Sequence, residues 1–585
     1  MTNPYLELLF TDSLEKIFPD ADIGPIQPLS FASMLLNERY SFQAVYCLTG
    51  DRLIKGKITL SGSLAPYVTV RQVGLVPSQL PNYPDGDDFV LRKTPGLYPD
   101  PLYPVDVIRE GVEDVDLSAE VLTLIPGQWR SLWITVPEDC ALLEGVYDLT
   151  LTVMQTSPED PAGAAFIPSE PCSIEIRRLP AVLPEQTLIH TQWFHTDCIA
   201  DWYRVPVFSE AYWELTEKYM MNAASCGVNM LLTPLFTPPL DTAPGGERTT
   251  VQLVDVYRTR EGYEFGLDKL ERWIALCDRC GMKYLEFSHL FTQWGAGFAP
   301  KIMAYPCSKR EVCSGSRPVR IFGWDTPADS REYREFLQSF LPVLTEFIKE
   351  RGLKTRCFFH ISDEPGKKQL PAYLSARELV EKYLEGMPVM DALSDYDFYE
   401  QGGVDLPICS SDHIGPFLEH KTENLWTYYC CGQYKEVANS FFSMPSVRNR
   451  ILGVQLYKFG IKGFLHWGFN FWNAALSTHP VNPFQVTDAE CAFPSGDAFL
   501  VYPGADGPIG SLREEVLMEG LQDMRALQLL ESLTDRETVL ELLESGLDRE
   551  ITFREYPHEA QWLLHMRERC NGRIRLEVEK ICDGK

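Results

Sequence analysis

Residues 356–365 read RCFFHISDEP, and the chain continues after a short basic stretch into PAYLSARELVEKYL (371–384), which carries apolar residues at helical spacing. A short apolar run that ends in polar residues and leads past a proline into an amphipathic segment predicts a strand followed by a helix. The same grammar repeats on both sides. Upstream, LIHTQWF (188–194) precedes EAYWELTEKYMMNAASCG (210–227), VNMLLTP (228–234) precedes LDKLERWIALCDRCG (267–281), and KYLEFSH (283–289) precedes REYREFLQSFLPVLTEFIKERG (331–352). Downstream, PVMDALS (388–394), PICSSDH (407–413), LWTYYCC (425–431) and GFLHWGF (463–469) each lead to a helical pattern, the last being SLREEVLMEGLQDMRALQLLE (511–531). Eight strand–helix units are the count of a (β/α)8 TIM barrel. A hairpin-like insert, TVQLVDVYRTREGYEFG (250–266), and a long loop after the third strand interrupt the repeat. Loops of that length at a barrel mouth usually carry function.

Ahead of the repeat the pattern is different. YSFQAVYCLTG (40–50), KITLSGSLAPYVTVRQVGLV (57–76), GQWRSLWITVP (127–137) and GVYDLTLTVMQ (145–155) alternate or run apolar between Gly and Pro punctuation. They predict an N-terminal antiparallel β-sandwich over 1–182, joined through the proline-containing RRLPAVLPEQ (177–186) to a barrel over 183–535. The charged segments LELLESGLDREITF (540–553) and HEAQWLLHMRERC (558–570) predict a helical tail, 536–585, packed on the barrel.

Composition narrows the function. Acidic residues outnumber basic ones by 82 to 53, a formal charge of −29, so electrostatics oppose a polyanionic partner such as nucleic acid or an anionic membrane. The first twenty residues show neither a basic n-region nor an apolar h-region, and no run of about 18 apolar residues follows, so the expectation is a cytoplasmic chain. Sixteen cysteines are then expected as reduced thiols. Cys277 and Cys280 form a CxxC without a second pair, and Cys307 and Cys313 are poorly spaced for zinc, so neither a metal nor a cofactor is expected.

The chemistry-bearing pair is Asp363 and Glu364. Ser362, Asp363 and Glu364 before a proline also fit the first turn of a helix, a capping serine with two acids on the positive end of the dipole. Their place at the end of the fourth strand, the face where barrel enzymes put their chemistry, favours catalysis. Other strand ends are rich in rings with polar handles: Trp193 and His195 after the first, His289 and Trp294 after the third, Trp426, Tyr428 and Tyr429 on the seventh, Trp467 and Trp472 at the eighth. Aromatic faces beside carboxylates suit a sugar, whose C–H face stacks while its hydroxyls need fixed partners. Candidate substrate-binding residues are therefore His195, His289, Trp294, Asp395, Trp426, Tyr428, Trp467 and Trp472.

Glycoside hydrolysis generally uses two carboxyl groups, and here the seventh strand supplies none. A substrate with a 2-acetamido group can provide the nucleophile itself, and the protein then needs one acid/base and one carboxylate to orient the acetamide. An alternative takes Asp395 or Asp412 as an enzymic nucleophile on a sugar lacking the acetamide. A second alternative is a non-catalytic carbohydrate-binding protein with the sandwich as its binding module.

Several motifs resemble glycoside hydrolase family 123 and the larger bacterial group related to it: NERYSFQAV (37–45), YPDPLYPVD (98–106), HLFTQWGAGFAPKI (289–302), FGWDT (322–326), HISDEP (360–365), FLHWGFNFWN (464–473), FPSGDAFLVYPG (493–504) and SLREEVLMEGLQD (511–523). The resemblance implies a sandwich-plus-barrel β-N-acetylgalactosaminidase that releases terminal β-linked N-acetylhexosamine from an oligosaccharide or glycoconjugate. By the same resemblance Asp363 orients the acetamido group and Glu364 is the acid/base.

Overall fold

The computed structural model of the protein describes residues 5–20, 26–109, 122–156, 166–312 and 315–582. The chain forms two compact units, each discontinuous in sequence. One comprises Met1–Gln186, Ala438–Lys458 and Ile509–Lys585, the other Thr187–Val437 and Phe459–Pro508. The sequence had divided linearly at 182 and 535, with the tail assigned to the barrel; here the tail helix Ala560–Cys582 groups with the N-terminal sheets. Its Arg567 is buried and pairs with Glu38 at 2.7 Å and Asp523 at 3.1 Å, ties made by side chains that a linear pattern cannot match.

In the first unit one sheet orders Tyr5–Thr11, Tyr40–Thr49, Trp129–Val136, Thr69–Ser78 and Gly96–Pro104, all antiparallel. A second runs Phe31–Leu35, Cys172–Leu179, Gly145–Thr156, Ile54–Ser61 and Ile108–Arg109. Phe10, Phe42 and Ile134 of the first sheet share one apolar core with Ile58, Leu151 and Ile176 of the second. Within Gly145–Thr156 alternate residues Leu149, Leu151 and Val153 are buried, the period of a strand with one face on a core. The antiparallel expectation fails at two edges, where Phe31–Leu35 pairs parallel with Cys172–Leu179, and Ile108–Arg109 parallel with Ile54–Ser61.

The second unit is built on eight parallel strands: β1 (Ile189–Gln192), β2 (Met230–Thr233), β3 (Tyr284–Phe287), β4 (Cys357–Phe359), β5 (Met390–Leu393), β6 (Leu406–Ser410), β7 (Trp426–Tyr428) and β8 (Gly463–His466). Their order is β4-β3-β2-β1-β8-β7-β6-β5, and a parallel bridge from Phe359 to Val389 joins the two ends, so the sheet is barrel-like. Nearly every strand residue is buried, as expected where both faces are covered. Trp193, Met230, Leu232, Ile408, Trp426, Tyr428 and Leu465 fill a shared core. Gly463 opens β8 because a Cβ there would lie 2.0 Å from the Trp426 ring. The hairpin read from 250–266 is present as Asp255–Arg258 paired with Tyr263–Gly266. The loop after β3 holds a second hairpin, Ile302–Ala304 with Val319–Phe322, before Ser330 caps the helix Arg331–Glu350. No helix among the described residues is long and apolar enough to cross a membrane.

Candidate active site

Beyond β4 the chain stays tied to the segment that follows β3. Leu290 and Phe291 donate to the carbonyls of His360 and Ile361, and Trp294 donates to the carbonyl of Asp363 at 2.8 Å. Ser362 Oγ accepts from the amides of Gly295 (3.1 Å) and Ala296 (3.0 Å) and donates to the Thr292 carbonyl. This serine therefore fastens a loop and does not cap a helix. The next α-helix, Leu370–Val380, has no acid in its first turn, so Asp363 and Glu364 do not complement its dipole. Glu364 sits at φ 43°, a left-handed conformation that costs a non-glycine residue on the order of 1 kcal/mol, and the residue is exposed.

Underneath lies a buried charged array. His360 is fully buried and hydrogen-bonds through Nε2 to Glu286 (2.7 Å) and through Nδ1 to Asp391 (2.9 Å). Two carboxylates favour the imidazolium against the cost of burial and raise its pKa to about 10. Glu286 also accepts from Trp193 Nε1 (2.8 Å) and from the Thr191 hydroxyl. Asp391 accepts from the backbone amides of Ile361 and Ser362 and from the Tyr373 hydroxyl. The backbone leading into Asp363 is thus held from below by a carboxylate of the neighbouring strand.

Asp363 and Glu364 open onto a pocket of about 150 Å³ whose wall includes Trp193, Asp241, Gln293, Trp294, Tyr428 and Trp467. Tyr428 donates its hydroxyl hydrogen to Glu364 Oε1 at 2.5 Å. Burial and the adjacent Glu364 charge raise the Asp363 pKa well above the carboxylate range, with His360 opposing the shift. Asp241 accepts from the Leu476 amide at 2.9 Å, and burial raises its pKa to about 6. Gln293 is buried, donates to the Thr242 carbonyl at 2.9 Å, and has no protein partner for its Oε1 among the described residues. Trp467 donates to Asp497 Oδ2 at 2.9 Å, and Trp294 is 44% exposed.

Of the residues singled out from sequence, Asp363, Glu364, Trp294, Tyr428 and Trp467 come together here, whereas five do not line the pocket. His195 is buried between the Trp467 carbonyl (2.9 Å) and Arg248 (3.0 Å), and burial, aided by that arginine, lowers its pKa to about 4. His289 is buried and stacks on His360 with ring centroids 4.2 Å apart. Trp426 fills the core, and Trp472 donates to the Val501 carbonyl at 3.1 Å. Asp395 caps the helix Tyr396–Glu400 by accepting from the amides of Asp397 and Phe398. Asp412, the other alternative nucleophile, accepts from Gln433 at 3.0 Å and is not on the wall.

Asp241, Gln293, Cys430, Cys431 and Phe493, also on the wall, were not singled out as site residues from sequence. Each lies in a loop after a strand, and only the position of such loops at the mouth could have pointed to them.

His289, His360 and Asp391 offer ligand atoms within 4.8 Å of one another. Both nitrogens of His360 already bond carboxylates, so ligation through either would displace a charge-assisted bond. Cys277 is buried, and Cys280 ends the helix Asp268–Arg279; Cys313 lies outside the described residues.

A search of curated protein sequences finds no match. The family model for the glycoside hydrolase 123 catalytic domain matches residues 193–530. Among solved structures, a family 123 glycoside hydrolase from Clostridium perfringens, studied for glycolipid glycan hydrolysis, covers 99% of both chains with a TM-score of 0.70 at 16% identity. A β-galacturonidase from Eisenbergiella tayi covers 89% of this chain and 73% of its own at a TM-score of 0.30 and 10% identity, too remote to bear on the site. The family model spans more than half of the chain, from just after β1 to beyond β8, and decides the assignment: the chain belongs to glycoside hydrolase family 123 and is a glycoside hydrolase.

Proposed function

We propose that the protein is a retaining exo-β-N-acetylgalactosaminidase that cleaves terminal β-linked N-acetylgalactosamine by substrate-assisted catalysis, on a (β/α)8 TIM barrel. The observation that carries this is that strand β7 presents Tyr428, not a carboxylate, to Glu364. With Glu286 and Asp391 engaged by His360, adjacent Asp363 and Glu364 are left as the acids of the β4 end.

Asp363 accepts the acetamido N–H, which turns the acetamide oxygen onto the anomeric carbon and balances the charge that grows on the oxazolinium ring. Glu364 protonates the leaving oxygen and then takes the proton from the water that opens the ring. Burial and the adjacent Glu364 charge favour a proton on Asp363 in the free enzyme, and an N–H donated by the bound acetamide favours its carboxylate. The unpaired Gln293 Oε1 and the Asp241 carboxyl suit sugar hydroxyls, and Trp294 at the rim suits a stacked ring or aglycone.

The test is hydrolysis of p-nitrophenyl β-N-acetylgalactosaminide against the β-galactoside. Loss of the internal nucleophile should slow the galactoside by several orders of magnitude, beyond the roughly 10- to 200-fold of one pocket contact. Comparable kcat/KM would point to an enzymic nucleophile. The wall favours Asp241 for that second reading over Asp395 or Asp412, because Asp241 alone of the three lines the pocket.

A further inference from the structure

We propose that Cys430 and Cys431 are a thiol modification site on the wall of the catalytic pocket, where exchange with a small-molecule disulfide closes a reversible disulfide between the two neighbouring residues. The inference rests on the pocket being the active one, as read above.

Strand β7 ends at Tyr428, the residue that holds Glu364, and two positions later the chain presents adjacent thiols to the same pocket. Both are half-buried, so a small reagent in the pocket reaches them. Gln433 ties the turn that carries them. Gln433 accepts from the Cys430 amide at 3.0 Å and from its thiol at 3.2 Å, donates back to the Cys430 carbonyl at 3.1 Å, and donates to Asp412 at 3.0 Å. Gly432 adds an amide on the Cys430 sulfur at 3.5 Å. The neighbouring Cys431 thiol, burial and Glu364 all hold Cys430 protonated, and its thiol already donates to Gln433, so Cys430 is the second thiol of the exchange.

Cys431, as thiolate, attacks a disulfide RSSR, forms Cys431–S–SR and expels RS⁻, which takes up the displaced proton as RSH. Cys430 then attacks the Cys431 sulfur, its proton leaves with the second RSH, and a Cys430–Cys431 disulfide remains. The two thiols are oxidised and RSSR is reduced to two RSH. Adjacent Cα atoms stand only about 3.8 Å apart across a trans peptide, below the roughly 4.4 Å minimum of ordinary disulfides, so the ring is strained and easily reduced. Closing it rotates the Cys430 amide off Gln433 and moves the turn that follows Tyr428. The modified enzyme should therefore lose turnover and regain it with a thiol.

The experiment treats the reduced full chain with bis(2-hydroxyethyl) disulfide and reads intact mass, peptide mapping and hydrolysis of the aryl N-acetylgalactosaminide. Expected are the loss of two hydrogens, a link mapped within one peptide to Cys430 and Cys431, and an activity loss of at least about tenfold that dithiothreitol reverses. N-acetylgalactosamine in the pocket should slow the modification. Cys431→Ser should keep its own untreated activity under the reagent and show no loss of two hydrogens. The proposal is overturned if both thiols of the treated wild type still alkylate with iodoacetamide, if a stable mixed disulfide accumulates in place of the ring, or if Cys431→Ser is inactivated equally. Mass and mapping need no turnover, so a chain that cleaves no N-acetylgalactosaminide refutes the functional reading while these readouts still decide the modification.

Discussion

The Tyr428 hydroxyl rests on Glu364 at 2.5 Å, joining the end of β7 to the end of β4 through the acid proposed above as proton donor. Ser394 stands 3.4 Å from the same hydroxyl. The contact also holds a side chain whose backbone is in a left-handed conformation. Tyr428→Phe removes a hydrogen bond to an ionisable group, so kcat should fall roughly 10- to 100-fold, with little change in melting temperature. Steady-state kinetics and a thermal melt on the one variant check both halves.

The imidazolium of His360 gives stability a defined alkaline edge. Its pKa rises from an ordinary 6.5 to about 10 in the fold, so its contribution is complete below pH 6.5 and is lost as pH climbs through 10. Melting temperature should decline across that window. In His360→Gln the decline should flatten, at an overall cost of about 3–5 kcal/mol because Glu286 and Asp391 are left as buried charges without their partner. Equal slopes in wild type and variant would show that His360 is not the titrating group.

Asp363 titrates with the same sign but as a cost. Its raised pKa means that the fold disfavours the charged carboxyl, so a cost that is absent below the ordinary value of 3.8 grows as pH rises from there and is complete above the raised pKa. Asp363→Asn should therefore melt higher than wild type at pH 7 and converge with it in acid. Its turnover should fall at least about a hundredfold even on an activated aryl glycoside. A helix-capping acid would behave in reverse, losing about 1 kcal/mol of stability at little cost to rate.

Asp241, with a pKa of about 6, accepts sugar hydroxyls better as the carboxylate, so kcat/KM should rise through pH 6 in wild type. Asp241→Asn should lack that limb and retain measurable kcat. Abolished turnover would instead make it a nucleophile.

Period and punctuation carry the strand–helix repeat, the inserted hairpin and the place of Asp363 and Glu364, because each is a local property of the chain. The aromatic residues show where locality ends. Trp426 and Tyr428 project to one face of β7, about 6.6 Å apart along the strand, and both rings join one core, but only the Tyr428 hydroxyl reaches Glu364. His195 looks like a ligand residue until Arg248, far along the chain, occupies one of its nitrogens. Asp241 and Gln293 are ordinary loop residues in sequence and meet only when the loops after β2 and β3 converge. The two parallel edge pairings and the return of 438–458 and 509–585 to the N-terminal unit depend on long-range contacts that no period encodes.

The central claim is that the substrate's own acetamide is the nucleophile, oriented by Asp363. Its most direct measurement is kcat/KM for p-nitrophenyl β-galactosaminides bearing N-acetyl, N-fluoroacetyl, N-difluoroacetyl and N-trifluoroacetyl groups, since each fluorine withdraws electrons from the carbonyl oxygen that must attack. A steep monotonic fall along the series is expected, reaching orders of magnitude at the trifluoroacetyl compound. A flat series would contradict the claim, because an enzymic carboxylate attacking the anomeric carbon does not feel the basicity of the acetamide.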